Sequence, residues 1–184
     1  RNNVKAINFG LAYGMGPNKL SDSLGISLSQ AKGLIETYFK EFPKIKEFLN
    51  KLGTFGKRYG YIKTFPPYNR RRWFPGWYPK IWNSVDKKIE VGSIERASKN
   101  TPIQGASADM TKLALHLIRE YIKMTDAPVK IVMTVHDQID TICQIEYAKS
   151  WVSKMTELME LAALQVVTNG LLKADTNFSK LWQK

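Results

Sequence analysis

Arg1, Lys5, Phe9 and Tyr13 recur at every fourth position at the start of the sequence. On a helix, residues four apart share one face, each step drifting by about 40°. One face of such a helix carries two cations followed by two aromatic rings. Cations so placed neutralise phosphate oxygens, and a ring lies against a base or sugar, so the order suits a nucleoside triphosphate. The spacing equally fits an ordinary amphipathic helix whose cations sit in solvent. Arg96, Asn100 and Gln104 repeat the interval of four and place a guanidinium and two amides on one stripe. Such groups reach minor-groove acceptors, which every base pair presents with little sequence discrimination. A solvated polar face is the alternative. A third candidate is Asp137, next to His136 and between two β-rich runs. A carboxylate at a rigid turn is a good ligand for a hard cation such as Mg2+ or Mn2+, although an Asp in a turn commonly serves only the turn.

The elements that must hold these residues follow from periodicity and punctuation. Val4, Ile7 and Leu11 give the first helix an apolar back, and Gly14-Met15-Gly16-Pro17 stops it. Asn18 to Leu24 reads as a short helix ending at Gly25, and a longer one starts at Ser27 or Ser29. Ala31, Leu34, Ile35, Tyr38 and Phe39 follow helical spacing until Pro43, and Ile45, Phe48, Leu49 and Leu52 resume it up to Gly53. Gly60 to Thr64 is a short extended piece. Residues 65–82 mix Arg70, Arg71 and Arg72 with many rings, and the prolines and glycine there forbid a long helix. The arginines can neutralise phosphates while rings stack on bases, or the loop is pinned by its aromatics with the arginines in solvent. A long helical segment begins at Ser93, with Pro102 within or beside it. Residues 129–135 and 139–145 form a hairpin whose polar tip is His136-Asp137-Gln138. A helix from about Glu146 to Asn169 covers the sheet with Val152, Met155, Leu158 and Leu161, and residues 173–182 form an extended tail. The fold class is α+β.

The 184 residues have the length of one ordinary domain. A net charge of +12 and a pI near 9.7 point to a polyanionic partner, nucleic acid before anionic membrane. The single Cys143 excludes an intramolecular disulfide framework and a cysteine-based zinc site, and fits a reducing compartment. No run is long and apolar enough to span a bilayer and no secretory signal is visible. Arg1 is not an initiator Met, so a fragment, a processed product or a trimmed chain is expected.

Lys5-x3-Phe9-Gly10-x2-Tyr13-Gly14, with Arg1 four residues before the lysine, resembles motif B of the family A DNA polymerases, the bacterial DNA polymerase I type. Val135-His136-Asp137 resembles motif C. Between them, the stretch from Glu95-Arg96 through Asn100, Pro102 and Gln104-Gly105 to Asp109 resembles a third segment of that family. The resemblance covers nearly the whole chain. It implies a right-hand polymerase fold, with 1–92 a fingers portion carrying the basic aromatic loop at 65–82. It makes 93–184 a partial palm with a long helix, the 129–145 hairpin and a C-terminal tail.

The implied activity is template-directed transfer of deoxynucleotides to a primer 3′-hydroxyl, with two Mg2+ ions as cofactor and with primer–template DNA and deoxynucleoside triphosphates as partners. Arg1 and Lys5 would bind the triphosphate, Lys5 also protonating the leaving pyrophosphate. Phe9 would pack on sugar and base and, as Phe rather than Tyr, implies discrimination against nucleotides lacking a 3′-hydroxyl. Tyr13 would sit at the template base, with Gly14 beside it. Arg96, Asn100, Gln104 and His136 would face primer–template, Arg70, Arg71 and Arg72 would face DNA, and Asp137 would be a catalytic metal ligand. The family's other aspartate belongs to motif A, an Asp-Tyr-Ser-Gln-Ile-Glu-like strand with no counterpart here, so an upstream segment or partner chain carrying it is expected. Two departures stand out: Gln138 where the family usually has Glu, and Asn69, after an inserted Pro66-Pro67, where it has Gly. A non-catalytic DNA-binding subunit is the alternative from another class. A single-subunit RNA polymerase is a third reading, against which the Phe9-Gly10-x2-Tyr13-Gly14 form and the Gln104 segment speak. The expected location is cytoplasmic or nucleoid-associated, with a viral or organellar source also open.

Overall fold

The structure is a computed structural model that describes residues 7–8, 10–11, 14–75, 85–168 and 172–180, with backbone only for 85–91. In order, its elements are α1 (Pro17–Leu24), α2 (Leu28–Glu41), α3 (Pro43–Tyr59), β1 (Tyr61–Lys63), β2 (Arg71–Trp73), α4 (Val85–Thr125), β3 (Val129–Val135), β4 (Gln138–Cys143), a 3-10 turn (Ile145–Tyr147) and α5 (Ala148–Val166). Contacts divide the chain into two compact units, one of residues 1–64 and 69–103, the other of residues 65–68 and 104–184. The long helix α4 therefore runs through the residue 92/93 division expected from sequence, and its contacts change units after Ile103.

Helix ends in the first unit follow their glycines. Ile7, Asn8, Gly10 and Leu11 are helical. Gly14 then takes φ +73°, donating its N–H to the Leu11 carbonyl, while the Met15 N–H reaches the Gly10 carbonyl. That pair of bonds satisfies carbonyls a helix end leaves open. Gly25 ends α1 in the same left-handed conformation. Ser27 starts α2 with a reciprocal capping box, its hydroxyl accepting from the Gln30 N–H and the Gln30 side chain accepting from the Ser27 N–H. Pro43 opens α3, where a missing N–H costs nothing.

Several elements differ from the sequence expectation. Helix α3 does not end at Gly53 but continues through Gly56 to Tyr59, with Gly60 at φ +72° as its true stop. Helix α4 begins at Val85 rather than Ser93 and passes through Pro102, which lies within it. Within the loop expected over 65–82, Arg71–Trp73 forms a strand that pairs antiparallel with β1. Asn69 takes φ +48°, the region that glycine enters freely and asparagine tolerates better than most residues. It thus turns the chain where the family has glycine, and the Thr64 hydroxyl and N–H close the turn by bonding the Arg70 N–H and carbonyl.

Gly53 and Gly56 lie on the face of α3 that meets α4. A Cβ on Gly53 would come within 2.8 Å of Glu95 Cγ, and one on Gly56 within 1.8 Å of Ser98 Oγ and 2.8 Å of Ser98 Cβ. Ser98 is fully buried and its hydroxyl donates to the Ile94 carbonyl, so it cannot retreat cheaply.

In the second unit, Ala114, Ile118, Val129, Ile139, Trp151, Met155, Leu158 and Ala162 form the core, sealing α4 and the β3–β4 hairpin against α5. The Trp151 indole N–H donates to Thr141 Oγ1, so the one polar atom of that buried ring is satisfied. Gln138 pairs with Val135 as the first residue of β4, so the hairpin tip is His136 and Asp137 alone. A register shift lies between Ile131 and Met133, and from Val132 to Asp137 every residue is exposed.

Gly56→Ala is expected to destabilise the protein by about 1–3 kcal/mol through overpacking. Gly33→Ala, in α2 with open space around it, should be neutral or stabilising by up to about 1 kcal/mol. Urea unfolding of the two variants separates a packing glycine from an idle one.

Candidate nucleic-acid interface

Arg1, Lys5, Phe9 and Tyr13, the expected triphosphate face, lie outside the described residues. The described part of that helix agrees with the expected apolar back, since Leu11 is buried and Ile7 half-buried. Gly14 brings the end of this helix against α4: a Cβ there would touch Arg96 Cγ at 3.4 Å and Lys99 Cδ at 3.6 Å. Gly14 and Arg96, two expected DNA contacts, are therefore neighbours in the first unit.

Arg96 is exposed, and Asn100, one turn on, is half-buried with its Oδ1 shielded from solvent and unpartnered among the described residues. A shielded amide oxygen without a donor is costly unless a ligand supplies one. Gln104 is exposed and belongs to the second unit.

Beside Arg96, Glu95 accepts from two lysines, Lys57 of α3 at 2.8 Å and Lys99 at 2.7 Å. Those two hydrogen bonds hold its carboxyl at about 2, well below its ordinary value of 4.5. Lys99 therefore plays a structural part. The sequence offered a signal for this pair, a Glu and a Lys four apart on a helix. Lys57, 38 residues away, offered none.

The three consecutive arginines separate. Arg72 Nη1 donates to Thr101 Oγ1 at 3.0 Å and its guanidinium lies over Phe74, which binds β2 to α4. The Arg71 guanidinium instead lies over the rings of Tyr61 and Trp73, at 5.3 and 5.8 Å. The Arg70 backbone is engaged in the turn with Thr64.

In the second unit, His136 and Asp137 stand exposed at the two-residue tip, with His136 at φ +57°. The Gln138 amide donates to Asp140 Oδ1 at 2.8 Å. The oxygen chemistry of Asp137 fits a hard cation. Among the described residues, however, no group of three His, Cys, Asp or Glu side chains comes together as a metal site. No helix among the described residues is long and apolar enough to cross a membrane.

The family model described as DNA polymerase family A matches residues 1–184. DNA polymerase I of Streptococcus pneumoniae serotype 4 is 34% identical over 183 residues, covering 99% of this chain and 20% of that protein. The thermostable DNA polymerase I of Thermus aquaticus is 32% identical over 160 residues, covering 87% of this chain and 18% of that protein. Among solved structures, the POL domain of Pol1 from M. smegmatis, in complex with DNA primer-template and dNTP, matches with a TM-score of 0.76 and 30% identity. That match covers 88% of this chain and 27% of the other. The chain thus spans about a fifth of the length of the curated relatives it matches.

The ion-pair cluster carries a prediction with a definite sign. Because the folded state lowers the Glu95 pKa, the cluster stabilises fully above the ordinary carboxylate range and is lost as pH falls from about 4.5 towards 2. Glu95→Gln should cost about 1 kcal/mol at pH 7, as partly exposed pairs do. In thermal melts across pH, the gap between variant and wild type should close over that acidic window.

Proposed function

We propose, from the premise that the chain belongs to DNA polymerase family A, that it forms the nucleotide- and primer-facing portion of a DNA-directed DNA polymerase. Its substrates are deoxynucleoside triphosphates and primer–template DNA, and its product is a primer longer by one nucleotide with pyrophosphate released. The observation that carries this reading is the exposed two-residue tip His136–Asp137 in a chain matched by the family over its full length.

On this reading residues 1–92 act as fingers and 93–184 as part of the palm. Arg1 and Lys5 bind the triphosphate, and Lys5 gives a proton to the leaving pyrophosphate. Phe9 and Tyr13 hold the nucleotide against its template base. Arg96, Asn100 and Gln104 follow the minor groove, where the shielded Asn100 Oδ1 can accept from a base-edge donor. His136 steadies the primer end. Asp137 would hold Mg2+, which when bound stabilises the attacking and leaving oxygens of the displacement. The remaining carboxylate comes from a motif A segment outside this chain, upstream or on a partner. Gln138 is turned to Asp140, so a neutral amide at this position is accommodated within β4 and Asp137 remains the ligand.

Primer extension tests the reading, first with this chain alone and then with the segment that carries motif A. Extension is expected only in the mixture. In the reassembled enzyme Lys5→Ala and Asp137→Asn should each lower the incorporation rate by about 100-fold or more while leaving DNA affinity unchanged. Unchanged incorporation with Lys5→Ala would instead make the chain a DNA-binding subunit without a catalytic part.

A further inference from the structure

The solvent face of the β1–β2 hairpin, with the adjoining end of α3, has a composition the proposed polymerase site does not use. The register pairs Tyr61 with Trp73, Ile62 with Arg72 and Lys63 with Arg71. Side chains alternate along a strand, so Tyr61, Lys63, Arg71 and Trp73 share one face. Ile62, which is buried, and Arg72, which is bonded to Thr101, take the other.

On the outer face the rings are continuous. Tyr61 meets Trp73 at 5.0 Å and Phe55 at 5.4 Å, and Phe55 meets Tyr59 at 4.6 Å. Arg58 lies over Tyr59 at 5.4 Å, and Arg71 over both Tyr61 and Trp73. Trp73 is nevertheless 59% exposed and Tyr59 45% exposed. A shallow groove of about 500 Å3 runs along α3 past Asn50, Thr54, Phe55, Arg58 and Tyr59. Among the described residues, Arg58, Lys63 and Arg71 have no carboxylate partner, and the one acid lining the groove, Glu47, is paired with Lys51. Exposed rings interleaved with cations that lack a carboxylate match what a single strand presents, bases to stack and phosphates to neutralise.

We propose that this face binds unpaired single-stranded DNA, stacking bases on Trp73 and Tyr59 while Arg58, Lys63 and Arg71 meet the phosphates. The inference rests on the reading of the chain as one that handles DNA, and it divides the arginines: Arg71 faces the strand and Arg72 builds the platform.

The test measures binding of an unprimed oligothymidylate by the intact polypeptide that carries this chain, with saturating blunt DNA hairpin present. Trp73→Ala and Tyr59→Ala should each weaken binding by about fivefold or more, and Trp73→Phe should restore most of the loss at that position. Trp73→Leu keeps an apolar side chain without a ring face, so it should lose binding with an unchanged melting temperature. An abasic strand of equal length should bind wild type more weakly and ignore Trp73→Ala. Equal affinity of the Trp73→Ala, Tyr59→Ala double variant and wild type, with primer extension retained, would overturn the platform and leave the polymerase reading standing. Failure of wild type to extend a primer, with ring-dependent strand binding intact, would overturn the polymerase reading alone.

Discussion

The first unit depends on how closely α3 can approach α4. Gly53 and Gly56 present bare backbone to Glu95, Ser98 and Lys99, and the space between them is smaller than a methyl group. Once the helices are that close, their remaining polar groups must be satisfied locally. Ser98 and Thr101 turn their hydroxyls back onto the Ile94 and Ala97 carbonyls, and Glu95 is clamped between Lys57 and Lys99. These contacts fix the roll of α4 about its own axis. The roll decides that Arg96 is exposed and that Asn100 is half-buried. Arg72 adds a third tie through Thr101, so the β1–β2 hairpin is referenced to the same stretch of helix.

Charge is partitioned by the same packing. A chain with 28 Lys and Arg against 16 Asp and Glu has too few acids to neutralise its cations. Glu95 serves two lysines at once, and Thr101 occupies Arg72 without any acid. Arg58, Lys63, Arg71 and Arg96 are left without a carboxylate among the described residues. They are four among many, since Lys19, Lys32, Lys44, Lys112 and Lys149 also pair with no acid among the described residues. Their fields act over about a Debye length of 8–10 Å in physiological salt, so their grouping on exposed surface matters more than the net charge.

Much of this was legible in the sequence, for reasons that can be stated residue by residue. Helical stripes such as Ala31 to Phe39 and the hairpin around His136 are local patterns, and local patterns carry their own periodicity. Gly14 was readable as a stop because a left-handed residue after a periodic run is a common helix ending. Gly53 misled for the same reason. It follows a periodic run too, but it is there to let another helix approach, and that partner is some 40 residues away in sequence. Strand β2 was hidden because Arg71-Arg72-Trp73 alternates by partner rather than by polarity, its inward residue being an arginine anchored on Thr101. The resemblance supplied the proposed functional positions, and Asn69 shows how far a departure can be trusted. The substituted residue reaches the backbone conformation that the family's glycine has available.

The hairpin tip shows what fixes an exposed carboxylate at the edge of the core. Val129 and the Trp151–Thr141 bond anchor the inner half of β3 and β4, and the buried Ile139, opposite Thr134, carries the core to within two residues of Asp137. At and beyond the register shift, Val132 and Val135 are exposed in this unit at 57% and 42%. The position of Asp137 depends on the buried Ile139, on the ladder between Val135 and Gln138 and on a His136 held in the left-handed region, where a non-glycine residue is strained by about 1–3 kcal/mol. Strain of that size persists only where surrounding structure enforces it, and here the two paired strands are that structure. A two-residue turn leaves Asp137 little freedom relative to its strands, which suits a ligand that must meet a cation in one place. It also makes the strand face around the tip as important to the proposed chemistry as the carboxylate. A substitution that loosened the Val135–Gln138 pair would displace Asp137 without touching it.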